Sequence, residues 1–242
     1  MSKSEKTTDF DHIRNILNKK AGMTVAYNLE KDNPTDVEEW ISTGSRWLDS
    51  VVCKGRLAGI PVGKISEIAG LPSAGKSYLA AQVAANAQKM GIRVVYFDSE
   101  SALDSSFLIR AGCELSSLIY TQAKSVEFVF DAIETLLKET EDKYLFLWDS
   151  YAFTPCEAEL EGGYNPRSDI ALKARVSSLA LSKLTQPVAN RGATLVVMNQ
   201  LKTNITTSVA ERYTDPWITS GGKAFHYSFS LRIWLTGKKG KA

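Results

Sequence analysis

Residues 64–80 read KISEIAGLPSAGKSYLA. The first part, KISEIAG, is short, apolar and β-rich, as a buried strand requires, and the last opens SYLAAQVAANAQKM, an alanine-rich run suited to a helix. Gly70 and Gly75 bracket four residues, Lys76 and Ser77 follow, and the whole lies at the strand-to-helix turn. Backbone N–H groups of such a turn face an anion, and the start of the helix adds the positive end of its dipole. Gly70, Leu71, Pro72, Ser73, Ala74, Gly75, Lys76, Ser77 and the adjoining Tyr78 are therefore read as a nucleotide cradle, with an ordinary glycine-rich turn as the competing reading. Lys76 reaches the β- and γ-phosphates of a nucleoside triphosphate, and the Ser77 hydroxyl holds Mg2+.

The segments around this turn repeat its alternation. RVVYFDSE, KYLFLWDS and ATLVVMNQ are further β-rich runs, FSLRIWLT is a candidate last strand, and VEFVFDAIETLLKE lies between two of them as a helix. Strands separated by helices pair in parallel through right-handed crossovers, giving an α/β fold with a mostly parallel sheet and helices on both faces. Ahead of it, residues 1–40 are polar, with a helical spacing at Phe10, Ile13 and Leu17 and then the breaker-rich NLEKDNPTD. They read as an N-terminal arm or tether, with a frayed tail as the alternative. The core spans residues 41–236, and residues 237–242 form a basic tail.

Composition narrows the classes. The 242 residues carry 29 Lys and Arg against 27 Asp and Glu, a net charge of +2, so any polyanion site has to be local. Cys53, Cys113 and Cys156 are far apart and form no CxxC pair, which argues against a disulfide framework or a zinc site and for a reducing, cytoplasmic setting. No window approaches the roughly 18 apolar residues of a membrane span.

Three strand ends supply chemistry beside the cradle. In KYLFLWDS an apolar run leads into Asp149, placed to hold Mg2+ at the sheet edge, or else a strand-capping aspartate. RVVYFDSE ends on Glu100, a carboxylate able to polarise an attacking water, with Asp98 as its competitor and the better structural partner. ATLVVMNQ puts Asn199 and Gln200 past an apolar run, where a neutral amide can sense a γ-phosphate. The polar stretch LKTNITTSVAERYTDPWITSGG that follows is longer than most internal connections and reads as a functional loop.

Together these segments resemble the RecA family of recombinases. STGSRWLDSVVCKGRLAGIPVGKISEIAGLPSAGKS, YFDSESALD, WDSYAFTPCEAELEG, VVMNQL and SGGKAF stand in that family's order and approximate spacing over residues 41–235, in a compact chain of the bacteriophage type. The resemblance implies a DNA-dependent ATPase that binds ATP and Mg2+ at the interface of a homo-oligomer, a helical filament or a ring. It would bind single-stranded DNA, and double-stranded DNA during exchange, in recombination and repair.

Residue by residue, Glu100 matches the family's water-activating glutamate, Asp104 and Phe107 match residues that meet the adenine, and Gln200 matches the glutamine between the γ-phosphate and the DNA loops. Residues 157–167 match the first of those loops and 201–219 the second, closed by Gly221 and Gly222. Cations and aromatics suited to a single strand are Arg167, Lys173 and Arg175 in or after the first loop and Lys202, Arg212, Tyr213 and Trp217 in the second. Solvated surface charges and a packed tryptophan are the competing readings.

The family extends past the position of Ala242, and basic residues of that stretch reach the neighbouring subunit's ATP in bacterial members. Here the resemblance assigns no such residue; Lys238, Lys239 or Lys241 as substitutes, or a fragment, are the open alternatives. The basic position after GGKAF is His226, which puts a cationic role there in question. A hexameric helicase motor and a regulatory paralogue that binds ATP and a recombinase without exchanging strands share this core and remain alternatives.

Overall fold

The computed structural model describes residues 3–56, 58–162, 172–204 and 216–236. The chain forms two compact units, Met1–Asp36 and Val37–Ala242. In the first, helix α1 (Lys3–Ala21) is followed by a turn in which the Asn18 side chain accepts from the N–H groups of Val25 and Ala26, both at 2.8 Å. The expected boundary after residue 40 falls inside a strand: β1 (Trp40–Ile41) pairs with β2 (Ile60–Pro61), so residues 37–40 belong to the second unit.

The second unit continues with α2 (Arg46–Val52), β3 (Ile65–Gly70), α3 (Lys76–Lys89), β4 (Arg93–Asp98), α4 (Ser105–Arg110) and β5 (Leu118–Gln122). Then come α5 (Val126–Glu139), β6 (Tyr144–Asp149), α6 (Glu157–Glu161) and α7 (Leu172–Asn190). It closes with β7 (Thr194–Thr203), β8 (Trp217–Thr219), α8 (Gly222–Ser228) and β9 (Leu231–Leu235). The sheet order is β5-β4-β6-β7-β3-β9, each pair parallel, with β8 antiparallel on β7. This is the α/β architecture expected from the alternating runs, with β5 and β8 as additions that the runs did not signal.

Strand periodicity sorts side chains onto two faces. On one face Ile68, Val94, Tyr96, Leu145, Leu147, Val196 and Met198 meet the alanines of α3, among them Ala80, Ala84 and Ala87. Small side chains let α3 lie close to the sheet, which fixes the turn that precedes it. On the other face Phe97, Phe146, Trp148, Leu195 and Val197 pack with Val129, Phe130 and Ile133 of α5 and Leu181, Leu184 and Val188 of α7. Trp148 is fully buried, edge-on to Phe130 at 5.3 Å between centroids, and its indole N–H donates to Thr154 at 2.8 Å. Truncating such an aromatic costs about 3–5 kcal/mol. Among the described residues no helix is long and apolar enough to cross a membrane.

Candidate functional site

The carboxyl ends of β3, β4, β6 and β7 form one edge, and the strand parity decides which side chains reach it. The turn after β3 carries Ser73 at φ 58° and Gly75 at φ 93°, the latter as N-cap of α3, a backbone conformation that a side chain at position 75 would strain. Lys76 lies over the turn, its ammonium donating to the carbonyls of Gly70 at 3.3 Å and Leu71 at 3.1 Å. Gly70 is itself enclosed: a Cβ there would meet the Leu235 backbone oxygen at 3.1 Å and the Ala74 side chain at 3.3 Å.

From the end of β6, one strand beyond β7, Asp149 reaches the start of α3 directly. Its Oδ2 accepts from the Ser77 hydroxyl at 2.9 Å and from the Tyr96 hydroxyl at 2.8 Å. Burial pushes the Asp149 carboxyl above its usual range, the two hydroxyls pull it back, and the charges of Glu100 and Asp98 raise it further. Tyr96 is held well above the tyrosine range, first by burial and then by Asp149, so it stays a donor. A hydroxyl and a carboxylate in contact, beside two further carboxylates, suit a hard divalent cation such as Mg2+, which takes few protein oxygens and keeps waters and phosphates. Among the described residues no group of three or more His, Cys, Asp or Glu is arranged as a protein-only metal site.

Glu100 stands at the same edge, although β4 ends at Asp98 rather than at Glu100 as its sequence run suggests. Asp98 is the reason: its buried carboxylate accepts from the N–H groups of Glu100 at 2.8 Å, Ser101 at 2.9 Å and Leu103 at 3.3 Å, and from Tyr120 at 3.2 Å. These bonds fold the chain out of the strand and leave Glu100 exposed. Its Oε1 accepts from the Ser150 hydroxyl at 2.8 Å, and Ser150 is in turn tied to Ser99 by two bonds of 2.9 Å. Ser150 and Tyr96 are thus site residues that the sequence reading missed; their signal was adjacency to Asp149 and two-residue spacing from Asp98.

Gln200 and Asn199 separate at β7. The register sets Gln200 beside Gly70 and Asn199 beside Ala69, and neighbouring strand residues face opposite ways. Asn199 is fully buried on the far face, donating to Glu67 at 3.0 Å and to the Ser220 carbonyl at 2.8 Å. Both follow the apolar run as expected, but the strand does not end there: pairing with β8 carries β7 on to Thr203, and only Gln200 shares a face with the turn after β3.

Asp104 caps α4, accepting from the N–H and the hydroxyl of Ser106, each at 2.8 Å, and these bonds hold its carboxyl below the usual range. Phe107 on α4 meets the ring of Tyr78 edge-on at 5.8 Å, and Tyr78 is 55% exposed, so the pair forms an aromatic corner beside the start of α3.

The candidate DNA contacts divide. Arg167, Arg212 and Tyr213 lie outside the described residues. Lys173 turns inward, donating to the Tyr151 carbonyl at 2.6 Å and lying 4.4 Å over that ring; burial, and more weakly the charge of Lys202, lower its pKa. Arg175 and Lys202 are exposed, and Trp217 is half-buried on β8. Gly221, at φ 111°, caps α8, and a Cβ there would lie 2.6 Å from the Phe225 ring, so packing alone demands glycine; Gly222 follows at φ 68°.

A family model, the RecA N-terminal domain, matches residues 10–240. Protein RecA of Bifidobacterium breve is 36% identical over 202 residues, 84% of this chain and 49% of that protein. Protein RecA of Ureaplasma parvum serovar 3 is 39% identical over 194 residues, 80% of this chain and 55% of that protein. For Protein RecA of Chloroherpeton thalassium the figures are 34% over 231 residues, 96% and 62%. The chain spans about half to three fifths of the length of these curated relatives.

Proposed function

The chain belongs to the RecA family, and on that premise we propose that it is an ATP-dependent recombinase that binds single-stranded DNA and hydrolyses ATP faster when DNA is bound. The observation that carries this reading is the meeting of the phosphate turn, the Ser77–Asp149 contact, Glu100 and Gln200 at one edge, with Gln200 continuing into the β7–β8 hairpin. The turn's N–H groups and Lys76 bind the phosphates, Phe107 and Tyr78 cover the adenine, and Asp104, kept ionised, accepts from its exocyclic amine. Ser77 and Asp149 would hold Mg2+, which when bound offsets phosphate charge. Glu100, steadied by Ser150, orients the attacking water and takes up its proton.

Gln200 contacts the γ-phosphate from the strand whose extension leads into the second loop, so binding at one end favours one arrangement at the other. Coupling is reciprocal: DNA tightens ATP binding as ATP tightens DNA binding. The DNA groups are Lys202 and Arg175 together with Arg167 and Arg212. Assembly of several copies on a cytoplasmic DNA strand, and exchange with a duplex, complete the reading. Fluorescence anisotropy of a labelled oligonucleotide tests it. Affinity should rise by tenfold or so with Mg2+ and a non-hydrolysable ATP analogue, and equal affinity with the analogue, ADP or no nucleotide would refute it.

A further inference from the structure

Behind the nucleotide edge, on the opposite face of the same strands, lies a second polar cluster. Glu67 of β3 is fully buried, and its Oε2 accepts from Arg232 Nε of β9 at 2.7 Å. The Arg232 side chain is 23% exposed, and its guanidinium spreads in two more directions: Nη2 donates to the Thr219 hydroxyl of β8 at 3.0 Å, and Nη1 to His226 Nδ1 of α8 at 2.9 Å. Asn199 ties the other oxygen of Glu67 to the Ser220 carbonyl. Three separate nitrogens of one planar fork reach these acceptors, which a single ammonium nitrogen would have to serve from one point.

The connections have a direction. Glu67 belongs to the strand that ends in the phosphate turn, and Asn199 precedes Gln200 with its side chain on the opposite face. Thr219 pairs with Leu201, the residue after Gln200, and Ser220 follows Thr219 into the helix cap. Two routes therefore run from the nucleotide face to residues 217–221, one through β3, Glu67 and Arg232 and one through β7 and Asn199. A further bond of 2.9 Å, from the Asn204 N–H to the Pro216 carbonyl, joins the chain just beyond the β7–β8 pairing.

We propose that Arg232, seated between Glu67 and Thr219, is a positioning residue that transmits nucleotide binding at the phosphate turn to the returning strand of the second loop. The proposal rests on the nucleotide role read above. The physical warrant for such coupling is a segment whose equilibrium both sites bias, and residues 216–222 are that segment.

Hydrogen exchange of residues 216–222 in the whole chain, with and without Mg2+ and a non-hydrolysable ATP analogue, reads it directly. Nucleotide should slow exchange there roughly tenfold in the unaltered protein. Thr219→Val, which keeps the Glu67–Arg232 pair, should remove most of that difference at unchanged nucleotide affinity, and Thr219→Ser should restore it. Arg232→Lys keeps the charge without the fork and should lose the difference as well; should it fail to fold, the threonine pair decides. Nucleotide-dependent protection that survives in Thr219→Val, or that is absent from the unaltered protein although nucleotide binds, overturns the proposal. Binding of single-stranded DNA by the same preparation is scored separately: protection without DNA binding would remove the recombinase reading and leave the positioning role standing.

Discussion

Carboxylates on the two faces of one sheet are held in different ways in this protein. Asp98, Glu100 and Asp149, at the carboxyl edge, accept from hydroxyls and backbone N–H groups, whereas Glu67, on the opposite face, accepts from a guanidinium as well as an amide. Hydroxyls and N–H groups hold a carboxylate in place but do not neutralise it, and burial then leaves Asp149 with a raised pKa. A guanidinium neutralises as it holds. The first group is suited to receive a cation and a polyphosphate, the second to join strands.

That contrast can be broken at several points. The largest effect is expected at Lys76, the cation of the phosphate turn: Lys76→Ala should remove nucleotide binding and nucleotide-dependent DNA binding together, as read by calorimetry and anisotropy. Next, Glu100→Gln should lower turnover by about 10²- to 10⁴-fold, the usual share of a general base, with nucleotide affinity intact. Normal hydrolysis in that variant would transfer the role to another group. Ser150→Ala removes one hydrogen bond worth about 1 kcal/mol, so turnover should fall about fivefold by steady-state kinetics with no change in nucleotide affinity.

The smallest effect has the opposite sign. The Asp149 carboxyl is raised above its ordinary value of 3.8 in the folded protein, so its contribution to stability is full below that value and is lost as pH rises through the folded value. Asp149→Asn should therefore melt higher than the unaltered, nucleotide-free protein at neutral pH, the gap narrowing as pH falls. It should lose the stabilisation that Mg2+ with nucleotide gives the unaltered chain. A lower melting temperature at every pH would show that Asp149 is compensated as Glu67 is.

Much of this edge was legible in the sequence. The strand-to-helix turn after β3 could be read because strand, glycines, Lys76 and helix are contiguous, and the place of Asp149 at a strand end because an apolar run ends on it. Strand ends were harder. Asp98 stops β4 through bonds to residues that follow it, and β7 is prolonged by pairing with β8, so neither limit is set by local composition. That is why Asn199 and Gln200 looked alike until the register separated them. β5, half-exposed at the sheet edge, has only three apolar residues in the run LIYTQ, too few to stand out as a buried strand. The Arg232–Glu67 pair joins positions 165 apart, and no spacing rule reaches that far.

The most direct test of the central claim is ATP hydrolysis by this chain alone, with Mg2+, with and without single-stranded DNA, over a series of protein concentrations. The account predicts a rate that rises by tenfold or more with DNA, steepens with protein concentration as copies assemble, and is lost in Glu100→Gln. A rate indifferent to DNA at every concentration, from folded protein that binds ATP, would contradict it.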